Sequence, residues 1–102
     1  MNKRDQYYGR IRVKLKPRDL LEHLAEESAE MGKAALKLIR AYGWSNNVTP
    51  VTTAEAQADM EEEIIDVLCV LDVLGYDLQH LLKREKACPK WERWAKRLEG
   101  KE

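Results

Sequence analysis

The sequence predicts an all-α domain, a helical bundle with two long central helices that oligomerisation completes. Three observations carry that prediction. Five Gly and three Pro among 102 residues are few turn formers for a domain of many short strands, and Phe, a strand-favouring residue, is absent. Apolar residues recur at spacings of three and four over two long stretches, which is the helical period. Capping residues stand at the ends of both stretches. The length suits one domain over residues 1–102, and 44% hydrophobic residues suffice for a core rather than a disordered chain.

The first long helix is expected from Pro17, a residue pre-set for the first turn, to about Tyr42. Gly43 supplies its C-terminal cap, with Lys37 and Arg40 near the negative end of its dipole. Its apolar stripe is Leu20, Leu24, Met31, Ala35 and Leu38, and the slot between Leu24 and Met31 holds Glu27 instead. Residues 44–52 read as a loop, with two Asn, a Pro and no helical period. Thr52 followed three residues later by Glu55 matches a capping box and opens the second long helix, which Gly75 ends after Leu74. Asp77 can cap a third helix from Leu78 to about Ala87, and Pro89 a final one through Leu98 with Trp91, Trp94 and Leu98 on one face. Near the N-terminus, Ile11, Val13 and Leu15 alternate like a strand while Tyr8, Ile11 and Leu15 fit a helix face. A lone strand would lack a partner, so helix or irregular structure is expected there.

Several classes are set aside. The longest apolar run, Val67 to Leu71, is far too short to cross a bilayer. The N-terminal residues lack the apolar stretch of a secretory signal. Cys69 and Cys88 form no CxxC pair, which argues against a zinc ribbon or a disulfide framework, and Cys69 is expected as a reduced core residue. A cytoplasmic protein fits these features.

The chain is formally neutral, with 18 bases and 18 acids, but the charges are segregated. Residues 3–18 hold seven bases against Asp5 alone, residues 55–72 hold seven acids and no base, and residues 83–97 return to seven bases against Glu85 and Glu92. One reading is a set of solvated helix faces that pair with each other. The other is an acidic centre for a cation, with basic flanks for an anion that accompanies it.

Within Ile64 to Tyr76 only Asp66 and Asp72 interrupt an apolar run, so this helix is expected to be buried on nearly all sides and Asp66 to be shielded from water. A carboxylate so placed is paired, protonated or bound to a metal. Glu63 precedes Asp66 by three residues, and Glu27 and Glu30 have the same relation in the first long helix, so each pair projects from adjacent turns. If the two helices pack antiparallel, four carboxylates converge, and hard oxygen ligands at that density suit Mg²⁺ or Mn²⁺ with open positions for water and phosphate oxygens. Glu26, Glu61 and Glu62 are expected to face solvent, with Glu26 close enough to be a spare ligand.

The residues Leu24-Ala-Glu-Glu-Ser-Ala-Glu30 and Glu62-Glu-Ile-Ile-Asp-Val-Leu68 together resemble the EExxE and ExxD motifs of MazG-like nucleotide pyrophosphohydrolases. These belong to the all-α NTP pyrophosphatase superfamily, and the resemblance, which covers about half the chain, is greatest to compact, often phage-associated members. It implies that Glu27, Glu30, Glu63 and Asp66 are the catalytic metal ligands, holding Mg²⁺, and that a nucleoside triphosphate is hydrolysed to monophosphate and pyrophosphate. It also implies a homodimer or homotetramer, the outcome that the apolar second helix suggests independently. Two features differ from many relatives. Thirty-two residues separate Glu30 from Glu63, and where relatives place a Lys and an Asn after ExxD, Lys83 and Lys86 are present but no Asn follows Asn47.

Lys33, Lys83 and Lys86, together with Lys37, are candidate phosphate contacts. Trp44, Trp91 and Trp94 are expected as packing anchors rather than base-stacking platforms, and His23 and His80 as ordinary surface residues. Asp77 and His80 have D-x-x-H spacing, but bundle iron sites take such a motif from two helices, so iron is not expected. The basic N-terminus comes with no nucleic-acid-reading motif, so nucleic acid is not an expected partner. The competing functional class is a non-catalytic helical oligomer, a phage or bacterial regulator, which would tolerate loss of Glu27 or Asp66.

Overall fold

A computed structural model describes residues 2–100 apart from Val48 and 84–86. Five helices follow one another: α1 Lys3–Lys14, α2 Pro17–Ala41, α3 Thr53–Leu74, α4 Leu78–Lys83 and α5 Ala87–Leu98. There is no strand among the described residues, so the ambiguous N-terminal segment is helical.

Local chemistry sets most helix ends. Pro17 lies in the first turn of α2, where the Lys16 backbone N–H donates to the Asp19 carboxylate at 3.0 Å. The Thr52 hydroxyl accepts from the Glu55 backbone N–H and donates to the Glu55 carboxylate, both at 3.2 Å, which fixes the start of α3. Gly75, at φ 100, closes α3 in a left-handed conformation that a residue with a Cβ adopts only with strain. Asp77 accepts from the His80 backbone N–H at 3.1 Å, so the D-x-x-H spacing serves a helix cap. The expected extension of α4 toward Ala87 runs into residues outside those described. Helix α5 starts at Ala87, two residues earlier than expected, leaving Pro89 in the first turn where its missing N–H is harmless.

Helices α2 and α3 are antiparallel neighbours. Gln57, near the start of α3, donates to the hydroxyl of Tyr42 at the end of α2 (2.7 Å), and further along Lys37 pairs with Asp59 at 3.1 Å. Trp44 stacks on Tyr42 with ring centroids 4.5 Å apart but is 72% exposed, so it does not anchor a core as expected. The buried apolar residues are Leu20 and Ala34 from α2, with Ala56, Val67, Val70 and Val73 from α3. Of the expected stripe only Leu20 is buried; Leu24, Met31, Ala35 and Leu38 are half-buried.

Helix α1 buries no residue, yet two arginines hold it to the end of α3. Arg4 chelates the Asp72 carboxylate at 2.6 and 3.1 Å, and Arg12 donates to the Val73 carbonyl at 2.8 Å. No base stands in the last turn of α3, so these two cations complement the negative end of its dipole. Part of the basic N-terminal flank is thus engaged in structure rather than left for an anion.

Two expectations about α3 are corrected. Asp66 and Cys69 are exposed rather than shielded. Helix α2 covers the face of Val67, Val70 and Val73, while Ile65 and Leu68, on other sides of the same helix, remain 52% and 42% exposed. The apolar run therefore makes two faces, and among the described residues only the one against α2 is largely covered. Trp91 and Trp94 likewise do not anchor a core: they are 54% and 59% exposed on α5. No helix among the described residues is long and apolar enough to cross a membrane.

Candidate metal centre

The antiparallel pairing of α2 with α3 brings the middle of one helix against the middle of the other. Glu27 projects from α2, while Glu63 and Asp66 project from consecutive turns of α3. One carboxylate oxygen from each lies within 4.8 Å of the other two. Glu27 keeps only 21% of its side-chain exposure, because its slot lies on the packing face of α2. The group sits at the seam where the two helices meet, half covered on one side and open at Asp66.

Glu63 is the most constrained of the three. Its Oε2 is covered from solvent and has no hydrogen-bond partner among the described residues. Burial pushes its carboxyl above the ordinary glutamate value, and the negative charges of Asp66, Glu27, Glu30 and Asp59 push the same way. A covered acceptor facing two further carboxylates is an arrangement that a cation or a proton would satisfy. Three carboxylates offer only hard oxygen donors, which fit Mg²⁺ or Mn²⁺ better than softer metals.

Glu30 is not among the three converging residues. It is exposed and pairs with Lys33 at 3.4 Å, one turn along α2. It nevertheless borders the centre, in a groove of about 250 Å³ lined by Glu30, Lys33, Lys37, Arg40, Asp59 and Glu63. Lys33 and Lys37 therefore stand beside the acids, as a phosphate contact requires. Lys83 lies exposed on α4, outside that groove, and Lys86 lies outside the described residues. Glu26, Glu61 and Glu62 are exposed, as their positions imply.

No family model, curated protein or solved structure matches this chain. The geometry of its own residues therefore carries the functional argument.

Three neighbours of the centre escaped the sequence reading. His23 Nε2 lies 3.2 Å from Glu27 Oε1 and can hold that carboxylate toward the seam. The signal was available, since His23 and Glu27 are four residues apart on one helix face. Asp59 stands one turn before Glu63 and pairs across the seam with Lys37, a contact that only the helix register reveals. Arg40 adds a third cation to the groove beside the acids, two turns beyond Lys33 on α2.

Proposed function

We propose that the chain is a Mg²⁺- or Mn²⁺-dependent nucleoside triphosphate pyrophosphohydrolase of the MazG-like type, acting as a homo-oligomer in the cytoplasm and releasing nucleoside monophosphate and pyrophosphate. The observation that carries this reading is the convergence of Glu27, Glu63 and Asp66 around a covered Glu63 oxygen with no hydrogen-bond partner among the described residues. These are three of the four ligands that the motif resemblance implies, and they come from both motifs.

In this reading Glu27, Glu63 and Asp66 hold the ion. The bound ion supplies charge neutralisation at the triphosphate and Lewis acidity toward water. His23 positions Glu27 through its ring nitrogen. Lys33, Lys37 and Arg40 offer cationic donors to phosphate oxygens from the adjoining groove, where Lys33 pairs with Glu30 and Lys37 with Asp59. Glu30 is exposed and pairs with Lys33, and by giving up that contact it could serve as a further ligand. Phosphoryl transfer asks for positioning and charge more than for a protein nucleophile, so neither cysteine has a part.

The test is a nucleotide panel with Mg²⁺, scoring pyrophosphate against phosphate release for wild type, Glu27→Ala and Asp66→Ala. Pyrophosphate from at least one nucleotide, lost by at least about a hundredfold in both variants while helicity is kept, is the expected result; loss of a charge-stabilising group at a reacting phosphate is worth about that much. No pyrophosphate from any nucleotide would sink the enzymatic reading and leave the regulatory oligomer. Activity unchanged in both variants would sink the assignment of the centre.

A further inference from the structure

Two apolar surfaces are left open among the described residues, and they match. The first is a groove of about 700 Å³ between α1, the C-terminal half of α3 and the start of α4, on the side of α3 turned away from α2. Tyr8, Ile65, Leu68, Cys69 and Tyr76 give it an apolar lining, and no α5 side chain is among those that line it. Arg4 at its rim is already neutralised by Asp72 and Asp5. Helix α3 carries no base, and its exposed Glu61 and Glu62 lie one turn before Ile65 on the approach to this groove.

The second surface is α5. Trp91, Trp94 and Leu98 follow at spacings of three and four and are 54%, 59% and 78% exposed. Lys90, Arg93 and Arg97 repeat at the same spacings and form a basic stripe directly beside the apolar one. The helix packs chiefly on α4. The chain as a whole has a radius of gyration of 17.5 Å, against about 13 Å for a compact domain of 100 residues. An arm that stands away from its own bundle with two indoles exposed has its apolar face ready for another molecule.

We propose that α5 of one copy docks in the α1–α3 groove of a second copy, with Trp91, Trp94 and Leu98 against Ile65, Leu68 and Cys69 and the basic stripe beside Glu61 and Glu62. This rests on the oligomeric part of the function proposed above and names the element that makes the contact. The charges select the occupant: a basic stripe flanks the helix and carboxylates flank the groove. The size agrees as well. A twofold exchange makes the contact twice, so each helix and the groove that receives it need bury together only about half of the ~1,200 Å² of a specific interface.

The two native cysteines provide the test, since both are free and exposed, with Cys69 in the groove and Cys88 at the start of α5. Treatment with a short bismaleimide should give a covalent dimer of the wild-type chain. Cys69→Ser alone and Cys88→Ser alone should give none, and an equimolar mixture of the two, carrying different tags, should give a mixed dimer. Trp91→Ala with Trp94→Ala should weaken the dimer at least tenfold by light scattering across a dilution series. A chain that is monomeric at every concentration overturns the proposal, whether or not it binds anionic vesicles through α5. A cross-link confined within one chain overturns it too. Dimers from Cys88→Ser alone would place two α3 helices face to face and also overturn it, while leaving the oligomeric hydrolase intact. Pyrophosphate release is not needed for any of these readouts, so failure of the enzymatic reading would be seen separately.

Discussion

The two apolar faces of α3 differ in what meets them. The inner face, with Val67, Val70 and Val73, lies against α2 and is buried. The outer face, with Ile65, Leu68 and Cys69, is similar in composition but lies in an open groove. The same helix therefore has a finished side and an unfinished one, and the carboxylates of the candidate metal centre lie where the finished side meets α2. A centre at such a seam takes its rigidity from the inner face and is independent of whatever covers the outer one. Apolarity alone does not tell which side of a helix holds the fold together and which is reserved for assembly.

That contrast can be broken most forcefully by placing a charge on each face. Val70→Asp puts an unpaired carboxylate in the core and should cost about 4 kcal/mol or more, enough to unfold a domain of this size. Leu68→Asp should leave the chain helical and shift it to monomer; circular dichroism with light scattering separates the two results, and unfolding by both would erase the distinction. Truncation is a gentler version. Leu20→Ala should lose about 2–5 kcal/mol in urea unfolding, since Leu20 is only 2% exposed, whereas the half-exposed neighbour Leu21→Ala should stay within about 0.5 kcal/mol.

The seam itself responds to pH. The Glu63 carboxyl is raised above its ordinary value in the folded chain, so the folded state binds that proton more tightly than the unfolded state does. The resulting stabilisation is present below the ordinary glutamate range and is lost as pH rises through the raised value. The melting temperature of the metal-free protein should therefore fall over that window, and Glu63→Gln should flatten the fall. Added Mn²⁺ should raise the melting temperature on the alkaline side, by binding the folded state alone. A small effect is expected at a helix end: Thr52→Ala removes the cap of α3 and should cost about 1 kcal/mol by urea unfolding.

Much of the fold was legible because its determinants are local. Pro17, the Thr52–Glu55 pair, Gly75 and Asp77 each act within a turn of their own position, and each marks a helix end within the structure. The convergence of carboxylates was legible in part for the same reason, since i, i+3 spacing places Glu63 and Asp66 on neighbouring turns. Glu30 shows where that argument stops. Spacing fixes the turn from which a side chain leaves but not which partner it meets, and Lys33 lies one turn away to take it. The exposure of Asp66 and Cys69 was hidden for a different reason. A run such as IIDVLCVLDVL specifies that several faces are apolar, while the number of helices available to cover them depends on the rest of the chain and on its assembly. The attachment of α1 by Arg4 and Arg12 was likewise invisible, because it joins residues more than sixty positions apart.

That attachment has a consequence for timing. Helix α1 is held by charge-assisted contacts at the surface, without a buried side chain of its own, and exposed ion pairs of this kind contribute at most about 1 kcal/mol each and weaken with salt. The α2–α3 pair is held by apolar burial, which salt leaves in place. Amide hydrogen exchange should therefore separate into a slow class in the middle of α2 and α3 and a fast class in α1, with the fast class accelerating as salt is raised. Since α1 forms one wall of the outer groove, rising ionic strength should loosen that wall well before it loosens the core.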